Sequence, residues 1–140
     1  MTSAAESNLE IIRRAIEAIE SGDAERFGEL VDEVAHPEIE WTPLIAVGIE
    51  GTYRGRDRLV SFFRDMHGSF EPRYEELELR SLGDDVVLAA CQLKLTGRES
   101  ELEFRQEMGS VFEFEDGLLR RGHAYPTHAE AREAAERIHA

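Results

Sequence analysis

Two spacings of hydrophobic residues divide the 140-residue chain. Up to about residue 68, apolar side chains recur three and four positions apart, which is the spacing of one face of an α-helix. From about residue 74 onward they alternate with polar side chains, as in a strand with one buried face. The change of period predicts helices first and a series of consecutive strands afterwards.

Three helices are predicted in the first half of the chain. Each combines apolar residues at helical spacing with a breaker at its end, and the first two begin at a capping residue. The stretch around Ile39 and Trp41 alternates with glutamates and predicts a strand between the second and third helices. The helix limits are marked by the Ser7–Glu10 capping box and Gly22, by Asp23 and His36-Pro37, and by Gly55 and Gly68.

Four strands and a final helix are predicted in the second half. Asp116-Gly117 is the strongest turn signal, because a type I′ hairpin turn needs positive φ at both central residues. Thr127 and Glu130 form a further capping box, which opens a helix with Ala131, Ala134, Ala135 and Ile138 inward. The predicted strands cover residues 74–82, 86–95, 102–115 and 118–125.

The order of the elements is therefore α-α-β-α-β-β-β-β-α. Consecutive antiparallel strands with helices on one side are typical of an α+β fold that buries one face of its sheet. A short, twisted sheet has to curl around the helices, so its concave side is expected to form a blind pocket. Because neither a repeat nor a linker is found, residues 1–140 are interpreted as one domain.

Charge and cysteine content restrict the partners. Sixteen basic against thirty acidic residues give a net charge of −14, which disfavours binding to nucleic acid or to an anionic membrane. No apolar run approaches the ~20 residues that span a bilayer, and no signal peptide is recognised. Cys91 is the only cysteine and is interpreted as an inert core thiol. A cytoplasmic protein is expected.

The closing hairpin suggests a candidate for acid–base chemistry. Regular pairing outward from the Asp116-Gly117 turn places Phe112 opposite Arg121 and Ser110 opposite His123. Residues opposite each other share a face, so His123 is expected on the concave face. Since histidine titrates near neutral pH, His123 is the predicted catalytic residue.

The remaining candidates describe an aromatic pocket for a small hydrophobic molecule. Trp41 and Tyr53 flank the apolar stretch 44–49, which is predicted to act as a lid. An apolar pocket with a few polar groups is the usual form of a small-molecule site. The five histidines and Cys91 lack the spacing of metal ligands, so neither a metal nor a cofactor is predicted. The predicted substrate-binding residues are Trp41, Tyr53, His67, Gln106, Ser110 and Tyr125.

Taken together, three stretches resemble the SnoaL-like branch of the NTF2-like superfamily. They are Glu20-Ser-Gly-Asp23, Gly51–Asp57 with the helix after it, and Val111–Leu119 followed by Tyr125. The resemblance implies a cone-shaped α+β fold, in which a curved antiparallel sheet wraps around three N-terminal helices and a C-terminal helix follows. It also implies a homodimer.

The resemblance implies positions for catalytic acids, and this chain lacks the acids. The base of steroid-isomerase-like members corresponds to Thr42, and the acid of the cyclase type corresponds to Ala124. A hydroxyl cannot act as a base near neutral pH without an activator, so carboxylate chemistry is disfavoured. The hypotheses are an isomerase, cyclase or hydrolase type of enzyme that uses histidine, a non-catalytic ligand-binding or structural dimeric domain, and a protein–protein module that uses the convex sheet face.

Overall fold

The computed structural model of the protein describes residues 3–44 and 51–140. The elements follow the expected order, with one added strand of two residues before the third helix. They are α1 (Ala4–Ser21), α2 (Ala24–Val34), β1 (Ala35–Thr42), β2 (Tyr53–Arg54), α3 (Arg56–Ser69), β3 (Phe70–Leu82), β4 (Val86–Gly97), β5 (Glu103–Glu115), β6 (Leu118–Tyr125) and α4 (His128–His139).

The described strands form one curved, unclosed sheet of six, in the order β2-β1-β6-β5-β4-β3. Strands β3 to β6 are antiparallel to their neighbours, as expected for strands joined by short turns. β1 instead pairs in parallel with β6, so the sheet is mixed where the sequence suggested a fully antiparallel one. The parallel pair arises because β1 joins the free edge of a strand that is distant in sequence. The α+β class is confirmed.

Side-chain caps fix the helix ends. The Asp23 carboxylate accepts a hydrogen bond from the amide of Arg26 at 3.0 Å, and the Thr127 hydroxyl accepts one from Glu130 at 3.1 Å. Both caps were expected. The capping box at Ser7 was wrong, because α1 begins one turn earlier with the Ser3 hydroxyl as its cap. Ser3 and Glu6 have the same spacing as the box that was chosen.

The main core lies between α1–α3 and the face of the sheet that they cover, called here the inner face. It is built from aliphatic residues of α1 and α2 and from an aromatic cluster on α3. Phe63 contacts both Phe27 and Phe62 edge-on, at centroid distances of 5.0 Å. Residues at its centre include Ile12, Ile19, Phe27, Val31, Ile39, Phe62, Phe63 and Val87.

Helix α4 covers part of the opposite, outer face. Its three buried alanines pack on apolar residues of β3, β4 and β5, which explains why β4 is apolar on both sides. The carboxylate of Glu107 accepts a 2.7 Å hydrogen bond from the amide of His128, at the positive end of the helix. Ile138 was expected inward but is 39% exposed, because it lies in the last turn of the helix. The contacting residues are Leu82, Val86, Leu88, Val111, Ala131, Ala134 and Ala135.

Gly109 allows this close approach, and its substitution tests how α4 is docked. A Cβ at Gly109 would lie 2.4 Å from the Cβ of Ala131. We expect Gly109→Ala to lower the free energy of unfolding by about 1–3 kcal/mol, because the helix has to move away from the sheet. Denaturant unfolding measures this change. Gly68→Ala is the matched control, since an added Cβ there meets nothing within 4 Å, and equal effects of the two variants would contradict the close contact.

Candidate ligand-binding cavity

A cavity of about 290 Å³ lies between α1–α3 and the inner face of the sheet. Its walls are apolar side chains from all three helices and from β1, β3, β4, β5 and β6. Trp41 and Phe112 are stacked in its wall, with ring centroids 6.4 Å apart and planes 5° from parallel. The aromatic residues that line it are Phe27, Trp41, Phe62, Phe63, Phe70, Tyr74, Phe104 and Phe112.

Small side chains on the sheet leave room for the cavity. Ala89 of β4 lies opposite Ser110 of β5, and Ser110 lies opposite Ala124 of β6, so three short side chains cross the inner face in one row. Gly122 lies against the ring of Trp41, where a Cβ would come within 2.8 Å. Glycine at this position lets the indole lie flat against β6. The small residues of the sheet therefore form the floor of the cavity, and bulky aromatic and aliphatic side chains form its walls.

The register of the closing hairpin differs from the prediction. Phe112 pairs with Gly122 and Val111 pairs with His123, because a β-bulge between Glu113 and Phe114 inserts one extra residue on β6. His123 therefore shares the outer face with Val111, which packs under α4. The expectation that His123 lies opposite Ser110 was wrong, and His123 is not among the residues that line the cavity.

Two consecutive arginines explain the bulge. In the regular register the side chain of Arg121 would point into the apolar cavity, and burying an unpaired charge is strongly unfavourable. The extra residue is Arg120, and with the bulge both arginines are paired with carboxylates. Arg121 Nε donates to Glu40 at 2.9 Å, and Arg120 Nε lies 3.5 Å from Glu115. Arg120-Arg121 within a strand was the sequence signal that could have indicated the shift.

The structure brings two of the predicted site residues to the cavity. Trp41 and Ser110 both line it. Trp41 Nε1 is a buried donor without a hydrogen-bond partner among the residues that the structure describes. Ser110 is 4% exposed and stands between two alanines. The predicted lid lies almost wholly outside the described residues, except for Leu44, which lines the cavity.

The other four predicted residues are not in the lining. Tyr53 packs on Phe62, with ring centroids 5.0 Å apart, and Tyr125 stacks on His123 on the outer face. Gln106 pairs with Leu93, which does line the cavity. Tyr53 and Gln106 therefore neighbour residues that line the cavity, without lining it themselves.

His67 lies at the end of α3, apart from the cavity. Its Nδ1 is buried without a hydrogen-bond partner in the part of the chain that the structure describes. Burial, and then the nearby Arg98 guanidinium, lower the pKa of His67, while the backbone of Ile19 has the opposite effect. The neutral imidazole therefore serves packing between α1 and α3.

Three polar side chains in the lining were not predicted as site residues: Glu40, Tyr74 and Cys91. Glu40 is engaged elsewhere, since its carboxylate accepts hydrogen bonds from Arg54 at 3.0 Å and Arg121 at 2.9 Å. These bonds, the one from Arg121 foremost, lower the pKa of Glu40. It is therefore a paired surface carboxylate and not a free base for the cavity.

Tyr74 and Cys91 are neutral groups. Burial is the main cause that raises the pKa of the Tyr74 hydroxyl, and it raises the pKa of the Cys91 thiol to about 12. Alternation along β3 and β4 could have placed both side chains inward, but nothing in the sequence distinguished them from core residues.

Comparison with known families identifies the fold. A family model described as the SnoaL-like domain matches residues 12–122. The chain belongs to this family. A search of curated proteins gave no match.

Solved structures agree with the assignment as a SnoaL-like protein. A Bacillus subtilis protein provisionally named an isomerase is 19% identical, with a TM-score of 0.74 and 96% of each chain covered. A Xanthomonas campestris protein provisionally named a polyketide cyclase is 14% identical, with a TM-score of 0.74 and coverage of 97% and 99%. A Catenulispora acidiphila protein with a ketosteroid isomerase-like fold, in complex with trimethylamine, is 12% identical, with a TM-score of 0.68 and coverage of 91% and 92%. At these identities the likeness establishes the fold alone.

Other chemistry has little support in this SnoaL-like protein. Arg105 pairs with Glu75 at 2.8 Å and with Glu103 at 3.1 Å on the outer face, and Glu107 accepts a hydrogen bond at the start of α4, so neither side chain is found in the described lining of the cavity. Within residues 3–44 and 51–140, no cluster of three or more potential metal ligands is found. In the same residues, no helix is long and apolar enough to cross a bilayer.

The raised pKa of Cys91 predicts slow alkylation of the folded protein. With a pKa of about 12, only about one thiol in ten thousand is ionised at about pH 8. We expect iodoacetamide to react at least about a hundredfold more slowly with folded than with denaturant-unfolded protein. The rate should rise about tenfold for each pH unit up to about pH 10. Mass spectrometry measures the rate at this single cysteine, and a plateau near pH 9 would contradict the assigned environment.

Proposed function

We propose that this SnoaL-like protein binds a small, uncharged hydrophobic molecule in the cavity between α1–α3 and the sheet. The observation that carries the proposal is the cavity itself, which is walled by aromatic and aliphatic side chains around a floor of small residues. Its volume of about 290 Å³ lies just below the range of typical small-molecule sites, roughly 300–1,000 Å³. A compact ligand, of one or two rings, suits this space.

The cost of the cavity argues against a purely structural role. An unfilled apolar void destabilises a protein by about 24 cal/mol per Å³, so a closed void of this volume would cost roughly 7 kcal/mol. A longer side chain at Ala89 would fill part of the space. Keeping short residues there is consistent with an occupant other than the protein itself.

The side chains that line the cavity favour binding over acid–base catalysis. Glu40 is held by arginines, and burial keeps Tyr74 and Cys91 protonated. No histidine is found in the described lining, and His123 lies on the outer face. The proposal is therefore ligand binding without histidine chemistry. Homodimerisation and a cytoplasmic location stay predictions.

Filling the floor tests the proposal. We expect Ala89→Leu to weaken binding of naphthalene, a neutral and fluorescent probe with two rings, by at least about tenfold, because the added carbons occupy the space of the ligand. Quenching of Trp41, the single tryptophan, reports occupancy directly, since its ring lines the cavity. Gln92→Leu adds the same side chain to β4 on the outer face and should bind the probe as the parent does. Failure of the parent protein to bind the probe would refute the proposal.

The position of His123 gives an independent prediction. We expect His123→Ala to leave probe affinity within about twofold of the parent, because the imidazole lies across the sheet from the cavity. Binding should also be insensitive to pH between about 6 and 8, because no histidine is found in the described lining of the cavity. Fluorescence titration of both proteins measures the affinities. A large loss in the variant would show that the outer face communicates with the cavity.

A further inference from the structure

We propose that the Tyr74 hydroxyl is a subsite for one uncharged oxygen, with Ser110 as a second hydroxyl of the same cavity wall, so that the ligand is a hydrophobic molecule with a hydroxyl or carbonyl group. The inference rests on the proposed function and narrows its ligand class. It excludes carboxylic acids and aliphatic amines, which are charged near neutral pH. It also assigns a role to Tyr74, which lies on β3, away from the closing hairpin.

Strand register places the two hydroxyl side chains on one wall of the cavity, two strands and four positions apart. Tyr74 pairs with Leu93 on β4, and Cys91 follows two positions along the same face. Ser110 pairs with Ala89, two positions further on. The Cys91 side chain therefore stands on the diagonal between the two hydroxyl residues, and all three line the cavity. The arrangement forms a polar strip in an otherwise apolar wall.

Neither hydroxyl is satisfied within the described part of the protein. The hydrogen bonds found there use the amide of Tyr74, which donates to Glu20 Oε2 at 2.9 Å, but not the hydroxyl of Tyr74 or of Ser110. Ser110 has only alanines opposite it on both neighbouring strands. A hydroxyl that faces an apolar cavity without a partner is unfavourable, and a ligand oxygen would supply the partner.

The surrounding charges determine which oxygen fits. Glu40 is the single charged side chain in the described lining, and its carboxylate is already bound by Arg54 and Arg121. A ligand carboxylate would therefore find no cation, and an amine no free anion. Burial raises the pKa of Tyr74, so its hydroxyl remains a donor near neutral pH. A carbonyl can accept from that hydroxyl, and an alcohol can also donate to it.

Three ligands with one ring system test the inference: naphthalene, 2-naphthol and 2-naphthoate. Equilibrium dialysis near neutral pH measures their affinities for the parent protein and for Tyr74→Phe, which removes only the hydroxyl. We expect the parent to prefer 2-naphthol to naphthalene, and the variant to lose about three- to tenfold of that preference. Affinity for naphthalene should not change. 2-Naphthoate should bind at least about tenfold more weakly than 2-naphthol.

Tyr125→Phe is the matched control, because that tyrosine lies on the outer face and should leave the preference unchanged. An unchanged preference in Tyr74→Phe, with naphthalene still bound, would overturn the subsite and leave the proposed function standing. Absence of naphthalene binding by the parent would overturn both. Equal binding of 2-naphthoate and 2-naphthol would overturn the uncharged ligand class. Should Tyr74→Phe not fold, the parent protein decides, because equal binding of 2-naphthol and naphthalene would overturn the subsite.

Discussion

The extra residue in β6 determines what the cavity contains. Arg120 has no partner position on β5, and every residue after it is shifted by one relative to a regular hairpin. As a result Gly122 and Ala124 face inward, while His123 and Tyr125 face outward. The shift satisfies both arginines at once, because Glu40, Glu113 and Glu115 lie on the outer face or its edge. The bulge keeps the guanidinium of Arg121 out of the cavity. The same shift places the small residues Gly122 and Ala124 on the inner face.

The same shift links packing to binding. With Gly122 inward, Trp41 lies against β6 and stacks on Phe112, and these two rings form one wall of the cavity. On the outer face Gly109 and the alanines of α4 allow close packing, which covers the hydrophobic side of β4 and β5. The sheet therefore buries both faces in different ways: it is densely packed under α4, and it leaves space under α1–α3.

Membership of the SnoaL-like family establishes the fold but not the chemistry of the cavity. The acid that the resemblance implies for the last strand is replaced by Ala124, whose methyl packs inside with Met108 and Cys91. The position before Pro43 is Thr42, whose hydroxyl shares a 2.9 Å hydrogen bond with the Thr52 hydroxyl. Both positions hold groups that cannot take a proton near neutral pH. The polar groups that do line the cavity are suited to hold a ligand in place, and function has to be inferred from them rather than from the fold.

The sequence by itself determined the fold class, the order of the elements and two of the three helix caps that were assigned. These features depend on neighbours along the chain: hydrophobic period, the Asp116-Gly117 turn, with φ of 52° and 80°, and the caps at Asp23 and Thr127. Trp41 and Ser110 could be assigned to the inner face for the same reason. Only the tertiary structure decided the parallel β1–β6 pair, the hairpin register and the roles open to His123 and Tyr74. Those depend on which distant charges and side chains meet across the sheet, and a one-residue shift in register exchanges its two faces.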